Sequence, residues 1–146
     1  MTWKLPFPDK NITGHYGTLS EYRKKMGLQP HSGTDWAMKG GTPIPAIANG
    51  TIAFVGESKI LGHVIVQSAM GKDKKVWYLG YCHLQKAPTL KEGDKIKMGE
   101  TIGLVGTTGS ASSGNHLHAT ASSKVKGVFG VTTDKADLYK LIKENL

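Results

Sequence analysis

Histidine is the residue type whose spacing in this chain most directly indicates chemistry. Six histidines occur, and four of them stand in short motifs, at His31, His83, His116 and His118. Asp35 follows the first of these by four residues across a glycine, and an imidazole and a carboxylate so placed can both bind one zinc ion. Taken alone, this pair is a weak indication of a metal site.

The pair His116 and His118 is a stronger indication. In a β-strand, residues i and i+2 project from the same face, so both rings would point at one place. With His31 and Asp35 the pair gives a His, Asp, His ligand set, although the spacing does not say which of the two later histidines binds the metal. Three protein ligands leave the fourth tetrahedral position to water, as in catalytic rather than structural zinc sites.

His83 is the candidate for acid–base chemistry. It stands at the end of a predicted strand, from which it could approach the site and orient or deprotonate the water. The other two histidines are interpreted without a catalytic role. His15 lies in a glycine-flanked loop, and His63 begins an ordinary apolar strand.

These motifs together resemble those of the lysostaphin-like (LytM-type) zinc endopeptidases. The family's order and spacing are matched by His31-x-x-x-Asp35, Tyr81-x-His83-Leu84 and His116-Leu-His118. Connecting segments such as Gly41-Thr-Pro-Ile-Pro-Ala46 and Met98-Gly-Glu-Thr-Ile-Gly103 resemble the family's turns and strands. The likeness extends from about Ile12 to Ala121, and several linked motifs make it specific.

The resemblance implies a role for each of five side chains. His31, Asp35 and His118 would be the ligands of a single zinc ion. His83 and His116 would assist the attacking water and the tetrahedral oxyanion.

The resemblance also implies a catalytic tyrosine, and it exposes two departures. Related enzymes place a tyrosine from the segment before the first ligand near the oxyanion, for which Tyr22 is the candidate and Tyr16 the alternative. The family usually follows its last histidine motif with Phe-Glu, where this chain has Ala119-Thr120, and Asn115 stands where Pro or Ala is common. Neither change removes a ligand, so we expect altered packing of the groove rather than loss of activity.

The elements that must position these residues are predicted to be mainly strands. Short apolar runs rich in Val, Ile, Thr and aromatic residues alternate with glycines, which favours an all-β or β-rich fold. The predicted strands are Ile44 to Ala48, Thr51 to Val55, His63 to Ser68, Lys75 to His83, Thr101 to Val105 and His116 to Ala121. We expect one domain over residues 1–146, with antiparallel sheets that form a substrate groove and short peripheral helices.

Local signals add one turn and two helices to this prediction. Asn49-Gly50 between two apolar runs predicts a two-residue hairpin. Leu19 to Met26 is predicted to be helical with Ser20 as its cap, and Thr133 to Asn145 is predicted to form a C-terminal helix that packs on the sheet by one apolar face. Lys135 would lie within that second helix.

Composition limits the class of protein. Hydrophobic residues make up 38% and charged residues 21% of the 146 residues, which is typical of a folded soluble domain. The single cysteine, Cys82, excludes a disulfide and a cysteine zinc site. Because Cys82 alternates with Tyr81 and His83, we expect it to face away from the site and to pack as a small hydrophobic residue.

The resemblance implies a zinc-dependent endopeptidase that cuts stem or cross-bridge peptides of bacterial peptidoglycan. The net charge of +8 would favour an anionic cell wall. With no apolar leader in the sequence, we expect synthesis in a cytoplasm and action on the wall after release, as a phage lysin or as part of a virion, and a monomer without specific nucleic-acid binding. The alternatives are a catalytically silent relative that binds wall or a partner, and a basic nucleic-acid-binding β domain.

Overall fold

The computed structural model describes residues 2–27, 30–129 and 134–146. The strands are β1 (Ile12–Gly14), β2 (Thr34–Ala37), β3 (Pro43–Pro45), β4 (Gly50–Ser58), β5 (Gly62–Met70), β6 (Val76–Leu84), β7 (Lys95–Ile96), β8 (Thr101–Leu104), β9 (His116–Ser122) and β10 (Lys135–Ala136). The helices are α1 (Glu21–Lys25) and α2 (Leu138–Glu144), with single 3-10 turns at Asp9–Asn11 and Val125–Val128. Neither α1 nor α2 has the length and apolar character needed to cross a membrane.

One antiparallel sheet forms most of the molecule. Its strands follow the order β1-β2-β9-β6-β5-β4-β7, and β10 pairs with β9 beyond the end of β2. A second, two-stranded sheet consists of β3 and β8. The β-rich fold with antiparallel sheets and short peripheral helices is therefore confirmed.

The core lies on one face of the large sheet. Opposed pairs in the register, Ile65 with Tyr81 and Trp36 with Leu117, place completely buried side chains on that face. Each such apolar side chain contributes roughly 1.5–3 kcal/mol when it is removed from water. The neighbouring positions along each strand point to the opposite face.

The two ends of the described chain are joined at one end of this sheet. Trp3 is buried, and its backbone N–H donates to the Asn145 carbonyl at 2.8 Å. Its indole N–H donates to the Met70 carbonyl at 2.9 Å. Leu138 and Ile142 of α2 are buried in the same core, as the predicted apolar face of the C-terminal helix requires.

The hairpin predicted at Asn49-Gly50 is wrong. Gly50 instead begins β4 and pairs with Ile96 of β7, while the preceding β3 belongs to the other sheet. A Cβ atom at Gly50 would lie 1.7 Å from the Ser68 carbonyl oxygen, so glycine is needed here for a close approach of backbones rather than for a turn. The strand predicted for Ile44 to Ala48 is correspondingly shorter and ends at Pro45.

The first helix is confirmed and the second begins later than predicted. The Ser20 hydroxyl accepts from the Arg23 N–H at 3.2 Å and caps α1, as expected. The C-terminal helix was predicted to begin at Thr133, which lies outside the described residues, and to contain Lys135. Lys135 belongs to β10 instead, and α2 begins after Asp137, whose carboxylate accepts from the Lys140 N–H at 3.2 Å.

Candidate metal centre and active site

The three predicted ligands meet because β2 and β9 are neighbours. Asp35 of β2 lies directly opposite His118 of β9, and opposed residues project from the same face of a sheet. His31 lies just before β2, and its ring reaches the same place. Its imidazole and that of His118 are each only 7% exposed, so the site lies below the protein surface.

The distances among the three side chains suit a single metal ion. One ligand atom from each of them lies within 4.8 Å of the others. His31 Nε2 is 3.1 Å from Asp35 Oδ2, and His118 Nδ1 is 2.8 Å from Asp35 Oδ1. Two imidazoles and one carboxylate match the donor sets of catalytic zinc sites, which leave one position open.

The protonation of the group also suits a metal. Burial alone would raise the pKa of Asp35, but hydrogen bonds from His118 and His31 outweigh it and hold that pKa well below its ordinary value. Burial lowers the pKa of His118, in spite of the neighbouring carboxylate. An ionised carboxylate and a neutral imidazole are the forms that bind metal, so the pKa shifts of Asp35 and His118 fit zinc.

Contacts behind the ligands fix their orientation. His31 Nδ1 donates to the His15 carbonyl at 3.2 Å, which directs Nε2 toward Asp35. Gly33 passes so close to His118 that a Cβ atom there would lie 2.8 Å from the ring and 2.4 Å from the Ala119 carbonyl oxygen. The glycine between the first two ligands is therefore required by packing against the third.

His83 reaches the site through an irregularity in β6. The strand pairs Leu84 with His63 and Tyr81 with Ile65, so β6 carries one extra residue against β5. At this bulge His83 adopts φ +61°, a conformation that is unusual for a residue with a Cβ atom. The bulge turns the His83 ring toward His116, with ring centres 4.8 Å apart.

The rings of His83 and His116, the two candidate catalytic histidines, are both held by carbonyl groups. His83 Nδ1 donates to the Thr108 carbonyl at 2.7 Å, and His116 Nδ1 donates to the Gly114 carbonyl at 2.8 Å. Each ring therefore has its Nε2 atom free for chemistry at the site. Burial lowers the pKa of His83 to about 4, so this ring is neutral at neutral pH.

The structure distinguishes His116 from His118, which the spacing did not. His116 Nε2 is 3.8 Å from Asp35 Oδ1, farther than the two closest imidazoles, and this ring does not belong to the three-residue cluster. His118 is the histidine of this pair that lies with His31 and Asp35. The choice implied by the family resemblance is thus the one that the geometry favours.

The prediction that Cys82 faces away from the site is wrong. Cys82 lies opposite His118 in the register of β6 and β9, so both project from the same face. Regular alternation fails because the bulge redirects His83, its neighbour. The expected packing is nevertheless observed, since Cys82 is buried against Val64, Val66 and Val128, and burial raises its pKa to about 12.

A cavity of about 250 Å³ opens over this face and is the candidate substrate groove. Arg23 of α1 and Lys135 of β10 line it. So do the three predicted ligands and the two predicted catalytic histidines, which are His31, Asp35, His118, His83 and His116. Tyr22 is 66% exposed on α1 and does not line the cavity, and neither does Tyr16. The role of Tyr22 stays a prediction.

Comparison with known proteins identifies the family. A match to the model of peptidase family M23 covers residues 29–128, and these include both ligand motifs and His83. The chain belongs to peptidase family M23. Members of this metallopeptidase family depend on zinc, in agreement with the donor set described above.

Individual M23 relatives agree with this assignment. The peptidoglycan DD-endopeptidase ShyA of Vibrio cholerae is 36% identical over 92 residues, which are 62% of this chain and 20% of that protein. The chain thus spans about a fifth of the length of this relative. The catalytic domain of lysostaphin from Staphylococcus simulans superposes with a TM-score of 0.72 at 30% identity, covering 90% of this chain and 91% of that domain.

A second M23 structure is that of a prophage-encoded protein. The catalytic domain of the prophage-encoded M23 protein EnpA of Enterococcus faecalis superposes with a TM-score of 0.68 at 28% identity. It covers 90% of this chain and 91% of that chain. The fold of this chain is therefore that of an M23 catalytic domain.

Sequence reasoning missed the residues that complete the site. Thr108, whose carbonyl holds His83, acts through its backbone, so no side-chain pattern could reveal it. Arg23 lies in a helix that was predicted, and only the fold shows that this helix borders the groove. Lys135 was missed because its strand has only two residues and was assigned to a helix.

Proposed function

We propose that the protein is a zinc-dependent endopeptidase that hydrolyses peptide bonds in bacterial peptidoglycan. The observation that carries this proposal is the cluster of His31, Asp35 and His118 beside two further imidazoles in one cavity. The names of the M23 relatives, peptidoglycan DD-endopeptidase and lysostaphin, support the substrate class. The reaction is hydrolysis of an amide in a stem or cross-bridge peptide.

Zinc is the group that His31, Asp35 and His118 would hold. When bound, it would polarise the scissile carbonyl and lower the pKa of a water molecule from about 15.7 toward 7. The protein's own part is to hold the three ligands together and to keep Asp35 and His118 in the protonation states that bind metal. The carbonyl of His15 and the close approach of Gly33 hold two of them in place.

His83 and His116 would move and stabilise charge in the reaction. His83 is neutral at neutral pH and donates its Nδ1 proton to Thr108, so its Nε2 atom can accept a proton from the attacking water. His116 Nδ1 donates to the Gly114 carbonyl, so only the doubly protonated ring, after its Nε2 atom has taken up a proton, can donate from Nε2 to the developing oxyanion. A preorganised donor of this kind typically contributes about 3–4 kcal/mol to the transition state.

Loss of turbidity of purified cell walls tests the proposal. The wild-type protein loaded with zinc should clear the walls, and His31→Ala should not, because one of three ligands is lost. His63→Ala is the matched control, since His63 does not line the cavity and its ring lies 3.7 Å from the Glu57 carboxylate. Mass spectrometry of the released fragments identifies the bond that is cut. Zinc-loaded wild type that leaves walls intact would support a silent binding relative instead.

We also propose a phage context, in which the enzyme reaches the wall after release from a cytoplasm or as part of a virion. Similarity to a prophage-encoded M23 protein supports this context. The +8 charge supports electrostatic attraction of a monomer to the anionic wall. Wall binding that weakens as salt is raised tests the electrostatic attraction. The mass of the protein in solution tests whether it is a monomer.

A further inference from the structure

Lys135 occupies a position in the groove that the proposed mechanism does not use. β10 pairs with β9 so that Lys135 lies opposite Ser122. Ser122 is four residues from His118 in the same strand, and an even spacing places both on one face of the sheet. Lys135 therefore projects from the face that carries the metal ligands, and it lines the same cavity.

The Lys135 ammonium has no anionic partner among the described residues. No ion pair or side-chain hydrogen bond involves it within residues 2–27, 30–129 and 134–146. Burial lowers the pKa of Lys135, and the electrostatic interaction that opposes this shift comes from the Cys82 thiol. Because burial raises the pKa of that thiol to about 12, it is protonated at neutral pH and provides no counter-charge.

A half-buried cation without a counterion is costly, and the surroundings increase that cost. Val128, Phe129 and Leu61 provide apolar walls in the same cavity. Asp35 is the one carboxylate among the described lining residues, and His31 and His118 already engage it. Buried charges in proteins are normally paired, so an anion that arrives with a ligand would satisfy Lys135.

We propose that Lys135 binds a free carboxylate of the peptide substrate and thereby selects peptides that carry one near the scissile bond. The inference rests on the proposed function for its substrate class, since stem peptides can carry such a group either free or amidated. The apolar walls exclude water and strengthen the contact between ammonium and carboxylate. Lys135 is in this view a specificity-determining residue outside the metal centre.

Binding of two matched peptides tests this role separately from hydrolysis. The probes are one cross-linked stem peptide with free side carboxylates and the same peptide with each of them replaced by a carboxamide. Dissociation constants are measured by calorimetry on zinc-loaded His116→Ala, which retains the metal ligands and is expected to cleave slowly. The acid peptide should bind roughly tenfold or more tightly than the amide, as charged hydrogen bonds require.

Variants at Lys135 test whether this side chain causes the preference for the acid peptide. Adding Lys135→Met to the His116→Ala background should abolish it by weakening the acid peptide alone, and Lys135→Arg should retain it. Lys126→Met is the matched control, because Lys126 is exposed on the neighbouring 3-10 turn and does not line the cavity. Zinc content and thermal unfolding verify that each variant is folded, and Lys135→Gln replaces the Met variant if the latter unfolds.

The possible results separate this inference from the proposed function. Equal affinity for the two peptides, no binding of either, or a preference that survives Lys135→Met would overturn the role of Lys135. Wild type that cleaves both peptides equally well would leave the endopeptidase intact and remove the carboxylate subsite. A preference that depends on Lys135, in a wild type that cleaves neither peptide, would retain the subsite and remove the hydrolase.

Discussion

The two faces of the large sheet differ although the same strands form both. On the core face, Tyr81 and Leu117 are fully buried among apolar side chains. On the opposite face of the same two strands, Cys82 and His118 are also nearly inaccessible, but the surroundings include Asp35 and a cavity. Burial alone therefore does not distinguish a structural position from a functional one here.

The polar groups of each face show what does distinguish them. The Tyr81 hydroxyl donates to the Gln67 side chain and accepts from the Ile47 N–H at 2.9 Å, so this buried hydroxyl is satisfied within the core face. Asp35 and His118 are hydrogen-bonded to each other, and together with His31 they are also arranged to hold a metal ion. Changes on the core face should alter stability, and changes on the site face should alter activity.

Removal of a ligand is expected to have the largest effect. His118→Ala should lose stoichiometric zinc and reduce wall hydrolysis at least about thousandfold, because metal catalysis contributes several kcal/mol. Metal analysis and initial rates check this expectation. Full zinc occupancy in His118→Ala would mean that His118 is not a ligand.

Removal of an assisting histidine should leave the metal in place. His116→Ala is expected to reduce kcat about 10²–10³-fold, as removal of a preorganised donor does in other hydrolases. Zinc content should match the wild type, because His116 lies outside the ligand cluster. Rates and metal analysis on the same preparation provide the test. Loss of zinc here and not in His118→Ala would reverse the roles of the two histidines.

Acid should destabilise the metal-free protein through the site face. The pKa of His83 is about 4 when folded and about 6.5 in the unfolded chain, so the unfolded state binds more protons between these values. Stability should therefore fall as pH drops from 6.5 to 4, by about 3 kcal/mol from this group. Urea unfolding of metal-free protein across this range measures the loss. A His83→Gln variant with an unchanged pH dependence would contradict this assignment.

A polar change on the core face should have the smallest effect and no effect on catalysis. Tyr81→Phe would remove the hydrogen-bond partner of the Ile47 N–H and of Gln67 Oε1, at a cost of about 2 kcal/mol. The melting temperature should fall by roughly 4–8 °C, with wall hydrolysis unchanged. Tyr78→Phe is the matched control on the opposite face, since its hydroxyl has no hydrogen bond to a described residue. Equal melting temperatures for the two variants would contradict the contrast between the faces.

The sequence was sufficient to predict strands and candidate site residues where strand periodicity and side-chain chemistry coincide. The strand that carries His116 and His118 was predicted from its residue types, and the common face of the two rings follows from their spacing of two. The candidate ligands followed from residue types that bind zinc, whereas the choice of His118 over His116 came from the family resemblance and agrees with the geometry. These features are local, and tertiary packing did not alter them.

The sequence was insufficient where tertiary contacts determine the backbone. Gly50 resembles a turn residue but serves a close contact with Ser68, which lies in the neighbouring strand. The bulge at His83 depends on how β6 pairs with β5, so strict alternation gave the wrong face for Cys82. The two-residue strand that contains Lys135 exists because β9 extends beyond β2 and leaves a partner unpaired.

The joining of Trp3 to Asn145 and Met70 has a consequence for engineering. Met70 lies opposite Val76 at one end of β6, and His83 lies seven residues along the same strand. At about 3.3 Å per residue this is a separation of roughly 23 Å. A fusion module or surface tether attached at either end would start well away from the groove, whereas trimming Trp3 would open the core.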